Sequence, residues 1–526
     1  MRTVERLPFS ALKTIPQLVK DFLRGEAGSA DSLLSSENIL RKAEKRHKNF
    51  SSDQRELLHT TLTAQLNGLK LSEKQQENLH KLKQSNTVTV TTGHQLNLFT
   101  GPVFFIYKIL QTIKTAEVLN AESDFHFVPV FWMASEDHDF EEINHFNTEN
   151  FQFSTEEVSG GAVGRIVITD TSFADKFKKE FEGQPFGPEL TALLKTSYQV
   201  GRTLAEATKI LVQTLFSDYG LLILDGDDAR LKQQMTSIFE DELLNSTLFR
   251  TTENKRQKLT EKYGKVQVNP REINLFYLTD SRYRIEKNGT LFQVNDTSLK
   301  FSAEEILAEL AEHPERFSPN AVLRPVYQET VLPNVAYIGG NAEIMYWLEL
   351  TDYFQQISVE LPVLVPRNSM LWLKERTIEK ISTSGIPISH FLENFSRHVG
   401  ELLLAESTLT PLLSQSEKLL QEQFRLLKDK SALTDKTFRN LVEAEEKRQL
   451  KSYTRMRKRL LRAERLRNTA RVEKLQRLKQ QINPGGSWQE RVLNFSVFYA
   501  DHGRKWLNTC YHEIDIYKTE LIILEY

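Results

Sequence analysis

The chain has 526 residues and a formal net charge of -2. It is therefore longer than an ordinary single domain, and its charge gives no global attraction to nucleic acid or to a membrane surface. Hydrophobic residues make up 40% and charged residues 26%, which is typical of a soluble globular protein. One cysteine, Cys510, excludes an intrachain disulfide and a thiolate metal cluster. The start has no signal-peptide core and no run reaches transmembrane length, so we expect a cytoplasmic protein without a membrane partner.

Residues 1–86 are predicted to form an N-terminal helical region. Apolar residues recur at three- and four-residue spacing in 33–39, 57–66 and 71–82, which is the pattern of amphipathic helices. We expect this region to pack on a core that begins at Thr87, and we assign no chemistry to it.

The next stretch predicts a βαβ unit. A β-branched run, Thr87–Thr92, indicates a buried strand that breaks at Gly93. A helix is predicted from Thr100–Pro102 to about Leu119, followed by a second strand at Phe127–Met133. The two strands of such a unit lie parallel in one sheet and are joined by a right-handed crossover. In parallel sheets of this kind, ligands bind at the carboxyl ends of the strands.

The same alternation continues along the chain and predicts an α/β core over about 87–390. Its further elements are a helix at 203–216, a strand at 221–224, a strand within 332–340, a helix at 342–354 and a strand at 361–366.

Two inserted modules interrupt this core. The first covers about 147–198 and includes a predicted strand at 163–168. The second covers about 255–318, where alternating segments near 273–278, 283–285 and 291–294 predict a small antiparallel sheet.

Residues 391–486 are predicted to form a helical hairpin or coiled coil. One helix runs from 391 to about 429 and a longer one from 435 to 482, joined near 432–434. An exposed apolar seam on this hairpin could form a homodimer. Residues 487–526 are predicted to return to the core with a short helix at 488–499 and a strand at 521–524.

The turn after the first core strand is the first candidate anion site. Gly93 follows the strand directly, and the amides of Thr100 and Gly101 are expected to be free at a helix start, where phosphate or carboxylate binds. Lys108 lies one to two turns into the helix and could reach back to the anion. The alternative is an ordinary strand-to-helix turn, because neither GxxxxGK[ST] nor GxGxxG is present.

The acidic cluster after the second strand is the second candidate. Asp137 and His138 at the strand end are assigned to proton transfer, since a carboxylate beside an imidazole favours its protonated form. Glu136 and Asp139 are added as substrate contacts. The residues further along, Glu141, Glu142 and His145, are instead interpreted as parts of a helix start.

Other polar residues are predicted on the same edge of the sheet. Asp225 follows a strand, and Asp228 is expected to cap the next helix. Arg324 and Arg367, each beside a strand, offer bidentate recognition of carboxylate or phosphate, and Gly339 with Gly340 offers backbone amides. We therefore expect one cavity bordered by Gly93, Asp137, Arg324 and Gly339.

The full set of predicted substrate contacts is Gly93, His94, Gln95, Thr100, Gly101, Lys108, Trp132, Glu136, Asp139, Asp225, Arg324, Asn334, Tyr337, Gly339, Gly340 and Arg367, with His138 and Asp137 as catalytic residues and no metal ligand.

The long helix is strongly basic, with fourteen Lys or Arg against two acids between Lys447 and Lys479. Such a stretch could bind nucleic acid. Because Tyr453 is its one aromatic residue, a solvated face or a dimer contact is favoured and we expect no nucleic-acid partner. Cys510 has no motif around it and is interpreted as a buried structural residue.

Several separated motifs resemble one known family, the bacillithiol biosynthesis cysteine-adding enzymes (BshC). They are TTGHQLNLFTGPVFFIYK, PVFWMASEDHDFEEINH, PREINLFYL, LRPVYQETVLPNVAYIGGNAEIMYW and LPVLVPRNS, and they span nearly the full chain. The family usually has glutamine where His94 stands, so no catalytic role is assigned to that imidazole.

The resemblance implies a Rossmann-like core with two connecting inserts and a coiled-coil domain used for homodimerisation. It also implies a ligase that joins the carboxyl group of L-cysteine to the amine of glucosaminyl malate, which gives bacillithiol. A free carboxylate needs activation for this reaction, and ATP is the expected agent, with no assignment for Mg²⁺. Gly93 and the Thr100–Gly101 amides would bind phosphate or the malate carboxylates, Lys108 or Arg324 would add charge, and His138 with Asp137 would deprotonate the amine.

Two other functions remain alternatives on the residues alone. A metal-dependent hydrolase or deacetylase would use Asp137, His138 and Asp139. A nucleic-acid-binding adaptor would act through the basic helix at 447–479.

Overall fold

The computed structural model describes residues 1–157, 161–264, 267–431 and 433–526. It divides into two compact units, Met1–Trp372 with Glu490–Leu524 and Leu373–Gln489 with Glu525–Tyr526. The predicted fold class is confirmed, since the first unit contains a parallel sheet with inserted modules and the second is helical. Along the described ranges, no helix is both long enough and apolar enough to cross a bilayer.

In chain order, the strands are β1 Arg2–Pro8, β2 Thr87–His94, β3 His126–Met133, β4 His145–Asn147, β5 Gln152–Ser154, β6 Leu222–Asp225, β7 Leu275–Leu278, β8 Arg282–Asn288, β9 Leu291–Val294, β10 Lys300–Phe301, β11 Phe317–Pro319, β12 Asn334–Gly339, β13 Val363–Pro366, β14 Ser369–Leu373 and β15 Glu520–Glu525. The α-helices are α1 Gln17–Leu23, α2 Ser36–Asn49, α3 Ser52–Gln65, α4 Glu73–Lys81, α5 Phe104–Glu122, α6 Phe140–Ile143, α7 Phe173–Glu180, α8 Gly187–Ser197, α9 Leu204–Phe216, α10 Ala229–Gln233, α11 Thr236–Asn245, α12 Thr247–Tyr263, α13 Ala303–Glu312, α14 Arg324–Val331, α15 Asn341–Glu349, α16 Thr351–Gln356, α17 Glu375–Ser382, α18 Ile388–Leu392, α19 Phe395–Glu406, α20 Leu409–Ser431, α21 Lys436–Arg467, α22 Thr469–Ile482, α23 Ser496–His502 and α24 Arg504–Glu513.

The N-terminal region is helical as predicted, apart from its first strand. Ser35, Ser51 and Ser72 cap α2, α3 and α4 through side-chain oxygens that accept backbone N–H groups. The strand β1 was not predicted because its polar and charged residues do not alternate regularly. It pairs with β15.

The core sheet has the order β13-β12-β2-β3-β6, and its adjacent strands are parallel. The β-branched residues of β2 explain its central place, since Val88 and Val90 are fully buried together with Phe127 of β3 and Val335 of β12. From β2 the chain proceeds to β3 and β6 on one side, whereas β12 and β13 lie on the other. The order therefore reverses between β2 and β12, and a ligand crevice is expected at the carboxyl ends of these two strands.

The inserts match the predictions in part. In the first, β4 and β5 form an antiparallel pair. The strand predicted at 163–168 is wrong, because Val163–Arg165 forms a 3-10 turn and Val167 makes an isolated bridge to Thr203. In the second, the predicted antiparallel sheet is confirmed with the order β10-β9-β8-β7-β11.

The C-terminal strand β15 does not extend the parallel sheet. It lies between β1 and β14 in a separate three-stranded sheet. The sequence prediction missed β14 because Pro366 ends β13 only three residues earlier, and the two strands look like one segment in the sequence.

The helical unit contains a hairpin of α20 and α21. Ion pairs join the two helices at Lys428–Glu446 (2.9 Å) and Arg457–Glu417 (2.5 Å). The two long predicted helices are each interrupted, the first between α19 and α20 and the second at Asn468, which ends α21. The predicted connection near 432–434 includes Ala432, which lies outside the described residues.

Candidate active site

A cavity of about 430 Å³ lies at the carboxyl ends of the core strands, next to the crevice between β2 and β12. Its walls come from the ends of β2 and β3, the starts of α5, α14 and α15, and strand β12. Its lining residues are Gly93, His94, Gln95, Phe104, Trp132, Ala134, Asp137, Glu142, Gln267, Ala321, Arg324, Pro325, Gln328, Tyr337, Glu343, Tyr346 and Trp347.

A buried ion pair forms one side of the cavity. Lys108 on α5 is 1% exposed, and its Nζ donates to both carboxylate oxygens of Glu343 (2.6 and 2.7 Å) and to the carbonyl of Gly93 (2.5 Å). Tyr337 Oη and the amide of Gly340 also donate to Glu343, each at 2.7 Å. Burial acts to raise the pKa of Glu343, but the charge and hydrogen bonds of Lys108, together with the hydrogen bonds from Gly340 and Tyr337, hold that pKa below its ordinary value. This pair connects β2, α5, β12 and α15 across the crevice.

Asp137 lines the cavity as an ionised carboxylate. Its Oδ1 accepts the backbone N–H of His138 (2.8 Å), and its Oδ2 lies 3.4 Å from Gln95 Nε2 and 3.5 Å from Arg324 Nη1. Burial acts to raise the pKa of Asp137, but contacts with His138 and the charges of Arg324 and Arg282 hold it well below its usual range. A carboxylate with such a low pKa is a weak base, so Asp137 is better suited to bind a cation than to accept a proton.

His138 is half exposed and stands beside the cavity without lining it. Its Nδ1 lies 3.2 Å from Arg282 Nη1 in a hydrogen bond and 3.4 Å from Asp137 Oδ1. Because a guanidinium can only donate, the hydrogen bond from Arg282 requires the tautomer in which Nδ1 accepts and Nε2 carries the proton. In this arrangement His138 is a hydrogen-bond donor, which does not favour the general-base role expected from the sequence.

Arg282 of β8 is the residue that donates to His138 Nδ1, and the sequence analysis missed it. It is 7% exposed, and it donates to Ser318 Oγ (3.1 Å) and to the Pro319 carbonyl (2.8 Å) as well as to His138. Burial lowers the pKa of Arg282 to about 10, and the charge of Arg324 acts in the same direction. Its neighbours in sequence gave no signal, because Arg282 and His138 are 144 residues apart in the chain and meet only in the folded protein.

His94 ends β2 and lines the cavity. Its ring packs edge-on against Phe104 and Phe105 at 5.3 and 5.1 Å. Its Nε2 is enclosed and has no hydrogen-bond partner among the described residues. Burial lowers the pKa of His94 to about 3, and the charge of Lys108 adds to that effect, so the ring is neutral at neutral pH.

Seven of the predicted site residues line this cavity. They are Gly93, His94, Gln95, Trp132, Asp137, Arg324 and Tyr337. Of the four residues expected to border one cavity, Gly339 does not line it, and its carbonyl accepts the backbone N–H of Arg367 at 2.8 Å. Arg324 is not beside a strand as predicted but is the first residue of α14.

The expectation of free amides at the first turn is wrong. The amide of Thr100 donates to the Asn97 carbonyl (3.1 Å) and that of Gly101 to the Leu98 carbonyl (2.8 Å). Both residues are buried, and α5 begins later, at Phe104. The Gly340 amide is likewise occupied by Glu343. Lys108 does reach back from its helix, but to Glu343 and not to an open anion site.

Two predicted polar contacts are instead buried in the fold. Arg367 is 4% exposed and makes a bidentate ion pair with Glu490 at 2.7 and 3.0 Å. Asn334 is fully buried at the opposite end of β12, where its side chain accepts from Thr91 (2.8 Å) and donates to Glu329 (2.7 Å).

The remaining acids of the prediction serve local structure. Glu136 is 3% exposed and pairs with Lys232 at 2.6 Å. Asp225 accepts a hydrogen bond from Ser135 Oγ, and burial raises the pKa of its carboxyl. Asp139 caps α6 by accepting the amide of Glu142 (3.3 Å), and Asp228 caps α10 as predicted.

Glu142 and Glu343 line the cavity, although the sequence analysis assigns neither to the site and interprets Glu142 as part of a helix start. Gln95 Nε2 donates to Glu142 at 3.1 Å. Gln328, Tyr346 and Trp347 also line the cavity. Their helical spacing in the sequence gave no sign of this, because a residue that faces a cavity has the same periodicity as one that faces the core.

The cavity lining contains carboxylates and one arginine. Asp137, Glu142 and Glu343 are the acids, and Arg324 is the cation among the lining residues that the structure describes. This set fits a ligand with an ammonium and a carboxylate group. It does not fit a bare triphosphate, since the amides predicted for phosphate are occupied and acids outnumber the cation.

Within the described ranges, no group of three or more His, Cys, Asp or Glu side chains is arranged to hold a metal ion, so Asp137, His138 and Asp139 do not form the predicted alternative metal site.

Comparison with known proteins gives matches over nearly the whole chain. Residues 4–368 match the family model "Bacillithiol biosynthesis BshC, N-terminal Rossmann-like domain", and residues 370–526 match "Bacillithiol biosynthesis BshC, C-terminal coiled-coil domain". A Flavobacterium johnsoniae protein named "Putative cysteine ligase BshC" is 38% identical over 89% of this chain and 89% of its own length. Relatives of the same name from Cytophaga hutchinsonii and Staphylococcus aureus are 38% and 27% identical over 85% and 88% of this chain, and over 84% and 88% of their own lengths.

Proposed function

The chain belongs to the BshC family of bacillithiol biosynthesis and is a carbon–nitrogen ligase, and from this premise we propose that it joins the carboxyl group of L-cysteine to the amine of glucosaminyl malate. The reaction takes place in the cavity at the ends of β2, β3 and β12. The observation that supports this proposal is the charge pattern of the lining, with carboxylates and Arg324 on one cavity. Both substrates carry an ammonium and at least one carboxylate, which are the groups that such a lining recognises.

Arg324 binds a substrate carboxylate in this proposal. Its Nη1 is 3.5 Å from Asp137 Oδ2, a contact long enough to be replaced by a shorter, bidentate one to a ligand. Asp137 and Glu142, which Gln95 contacts from one side, bind the ammonium group. The aromatic side chains of Trp132 and Tyr337 form apolar walls for the sugar ring or the cysteine side chain.

His138 donates a hydrogen bond through Nε2 in this proposal. Arg282 occupies Nδ1 at 3.2 Å, so the donor is fixed before substrate binds. A donor at this position can stabilise negative charge on the oxygen of the carboxyl group under attack. Arg282 is the positioning residue for that imidazole.

Activation of the cysteine carboxylate requires a co-reactant, and we propose ATP from the chemistry of amide formation. Transfer of the γ-phosphoryl group of ATP to the carboxylate forms an acyl phosphate and releases ADP, whereas transfer of the adenylyl group forms an acyl-adenylate and releases pyrophosphate. Attack by the amine then forms the C–N bond and releases phosphate or AMP, and the nitrogen loses a proton to solvent. Because the cavity lining does not fit a bare triphosphate, no residue is assigned to the nucleotide.

The purified protein should convert L-cysteine, glucosaminyl malate and ATP to the amide, which mass spectrometry detects. ADP among the products would indicate an acyl phosphate, and AMP an adenylate. Arg324→Gln should raise the KM of a carboxylate substrate at least about 10-fold, since a charge-assisted pair contributes roughly 1.5–3 kcal/mol. Arg397→Gln, at an exposed position of the helical unit, is the matched control. Absence of the amide with the wild-type protein would refute the proposed reaction of these substrates with ATP.

We also propose that the enzyme is a cytoplasmic homodimer that associates through the helical unit. Leu412, Leu419 and Leu426 of α20 are 58%, 54% and 61% exposed and lie seven residues apart, the spacing at which helices associate in coiled coils. A second copy covering this stripe would remove it from water.

We also propose that the protein has no nucleic-acid partner. The exposed basic face of α21 is partly neutralised within the hairpin, for example by the ion pair Arg457–Glu417, which weakens its attraction to nucleic acid.

A further inference from the structure

A second cavity, of about 370 Å³, lies on the inserted antiparallel sheet, separate from the proposed active site. It is bordered by α12, the segment before β7 and strand β8. Arg271, Arg284 and Lys287 bring positive charge to it, while Phe249, Ile273 and Ile285 supply an apolar wall. Nothing in the proposed reaction uses this cavity.

Arg282 and Arg284 of β8 contact the same aromatic ring but differ in their hydrogen bonds. Arg282 and Arg284 both stack on the ring of Phe276, at 4.0 and 4.7 Å from its centre. The N–H groups of Arg282 are used by Ser318, Pro319 and His138. The guanidinium of Arg284 is held by the same ring, but it donates to no acceptor among the described residues. It therefore contacts the ring of Phe276 and has N–H groups that no described residue accepts.

Arg271 increases the positive charge beside Arg284. Within the described part of the chain, no carboxylate lies within ion-pair distance of either guanidinium, although Glu272 and Glu286 border the cavity. Burial lowers the pKa of Arg284, and the charge of Arg271 lowers it further, whereas Glu286 acts against this. Two adjacent guanidinium groups repel one another, and an anion bound between them would remove that cost.

We propose that Arg271 and Arg284 bind the phosphate or carboxylate group of a small organic anion, whose body packs against Phe249, Ile273 and Ile285. The guanidinium fork matches both oxyanions in bidentate geometry. The apolar wall distinguishes this site from a surface that attracts counterions only. The inference does not depend on the proposed ligase reaction.

Isothermal titration calorimetry of the full-length protein tests this site with sodium phosphate and with sodium L-malate, each at constant ionic strength adjusted with NaCl. We expect saturable binding of at least one anion and at least a 10-fold loss of affinity in Arg271→Gln/Arg284→Gln. The site is near the surface, so an unchanged melting temperature would show that the double variant is folded. Binding of phosphate alone identifies the ligand group as phosphate, and binding of malate alone identifies it as carboxylate.

Two control variants locate the binding. Lys300→Gln removes one exposed charge from the same sheet, and Arg397→Gln removes one exposed guanidinium from the helical unit. Both should bind the anion as the wild-type protein does. The proposal is overturned if neither anion binds saturably, if the double variant binds like the wild type, or if either control loses as much affinity as the double variant.

Discussion

His94 ends one core strand and His138 follows the adjacent one, yet the fold gives them opposite environments. His94 is enclosed by aromatic rings beside Lys108, and burial lowers its pKa to about 3. His138 is half exposed, and an arginine from an inserted module contacts its Nδ1. The residue type therefore fixed what each side chain could do, and the neighbours decided which form it takes.

Replacing His138 distinguishes a donor from a base. If Nε2 donates a hydrogen bond, His138→Gln should keep turnover within about 10-fold of wild type and His138→Phe should lose much more. If His138 accepts the proton of the amine, both variants should lose about 10²- to 10⁴-fold. Nitrogen-15 NMR of the ring at pH 8.5 gives a second measurement, and a proton found on Nδ1 would contradict the donor assignment.

The buried His94 predicts a loss of stability in acid. Below the ordinary histidine pKa of 6.5 the unfolded chain takes up a proton on this residue, whereas the folded chain does not until about pH 3. The free energy of unfolding therefore falls as pH drops through this window, by roughly 2 kcal/mol between pH 7 and pH 5. Urea unfolding at both pH values should show that loss in the wild type and a smaller one, by about this amount, in His94→Gln. Equal losses in both proteins would refute the prediction.

At the scale of elements, the turn between β2 and α5 depends on a left-handed backbone. Phe99, Thr100 and Gly101 have φ values of 45°, 69° and 61°. Asn494 Nδ2 donates to the carbonyls of Phe99 (2.7 Å) and Gly101 (2.6 Å) and so holds this segment. The turn directs α5 so that Lys108 reaches Gly93 and Glu343.

Gly101→Ala should destabilise the protein by about 2 kcal/mol or more. Its φ of +61° disfavours a side chain, and an added Cβ would lie 2.7 Å from Asn97 Cβ. Gly68→Ala is the matched control, because Gly68 also has a positive φ but no atom within 4 Å of the added Cβ, and it should cost about 1 kcal/mol. Urea denaturation measures both, and equal losses would show that the contact with Asn97 is unimportant.

At the scale of the whole molecule, the chain contains a core that carries the candidate active site and a helical unit with an exposed leucine stripe. A hairpin of two helices buries few side chains of its own, since Phe424 and Val442 are the buried apolar residues of α20 and α21 among those described. Association with a second copy would supply the missing apolar contacts.

Changing Leu412, Leu419 and Leu426 together to Glu should therefore convert a dimer to a monomer. Light scattering coupled to size-exclusion chromatography measures the mass directly. Thr454→Glu, an exposed position on α21, adds a charge outside the stripe and should remain dimeric. A wild-type protein that elutes as a monomer at micromolar concentration would contradict the proposed dimer.

The sequence by itself determined the α/β class, the parallel core strands, the antiparallel insert and the long helices, because local periodicity and β-branched runs specify these elements. It also located Gly93, Gln95 and Asp137 near one cavity, since the carboxyl ends of parallel strands share an edge. Arg324 lines the same cavity, but from the start of α14 and not from a strand end. Only the tertiary structure decided that the Thr100 and Gly101 amides are occupied, that Arg367 pairs with Glu490 and that Arg282 reaches His138. These outcomes depend on partners far away in sequence, and a side chain's neighbours across the fold, not its own segment, settle whether it binds a ligand or the protein itself.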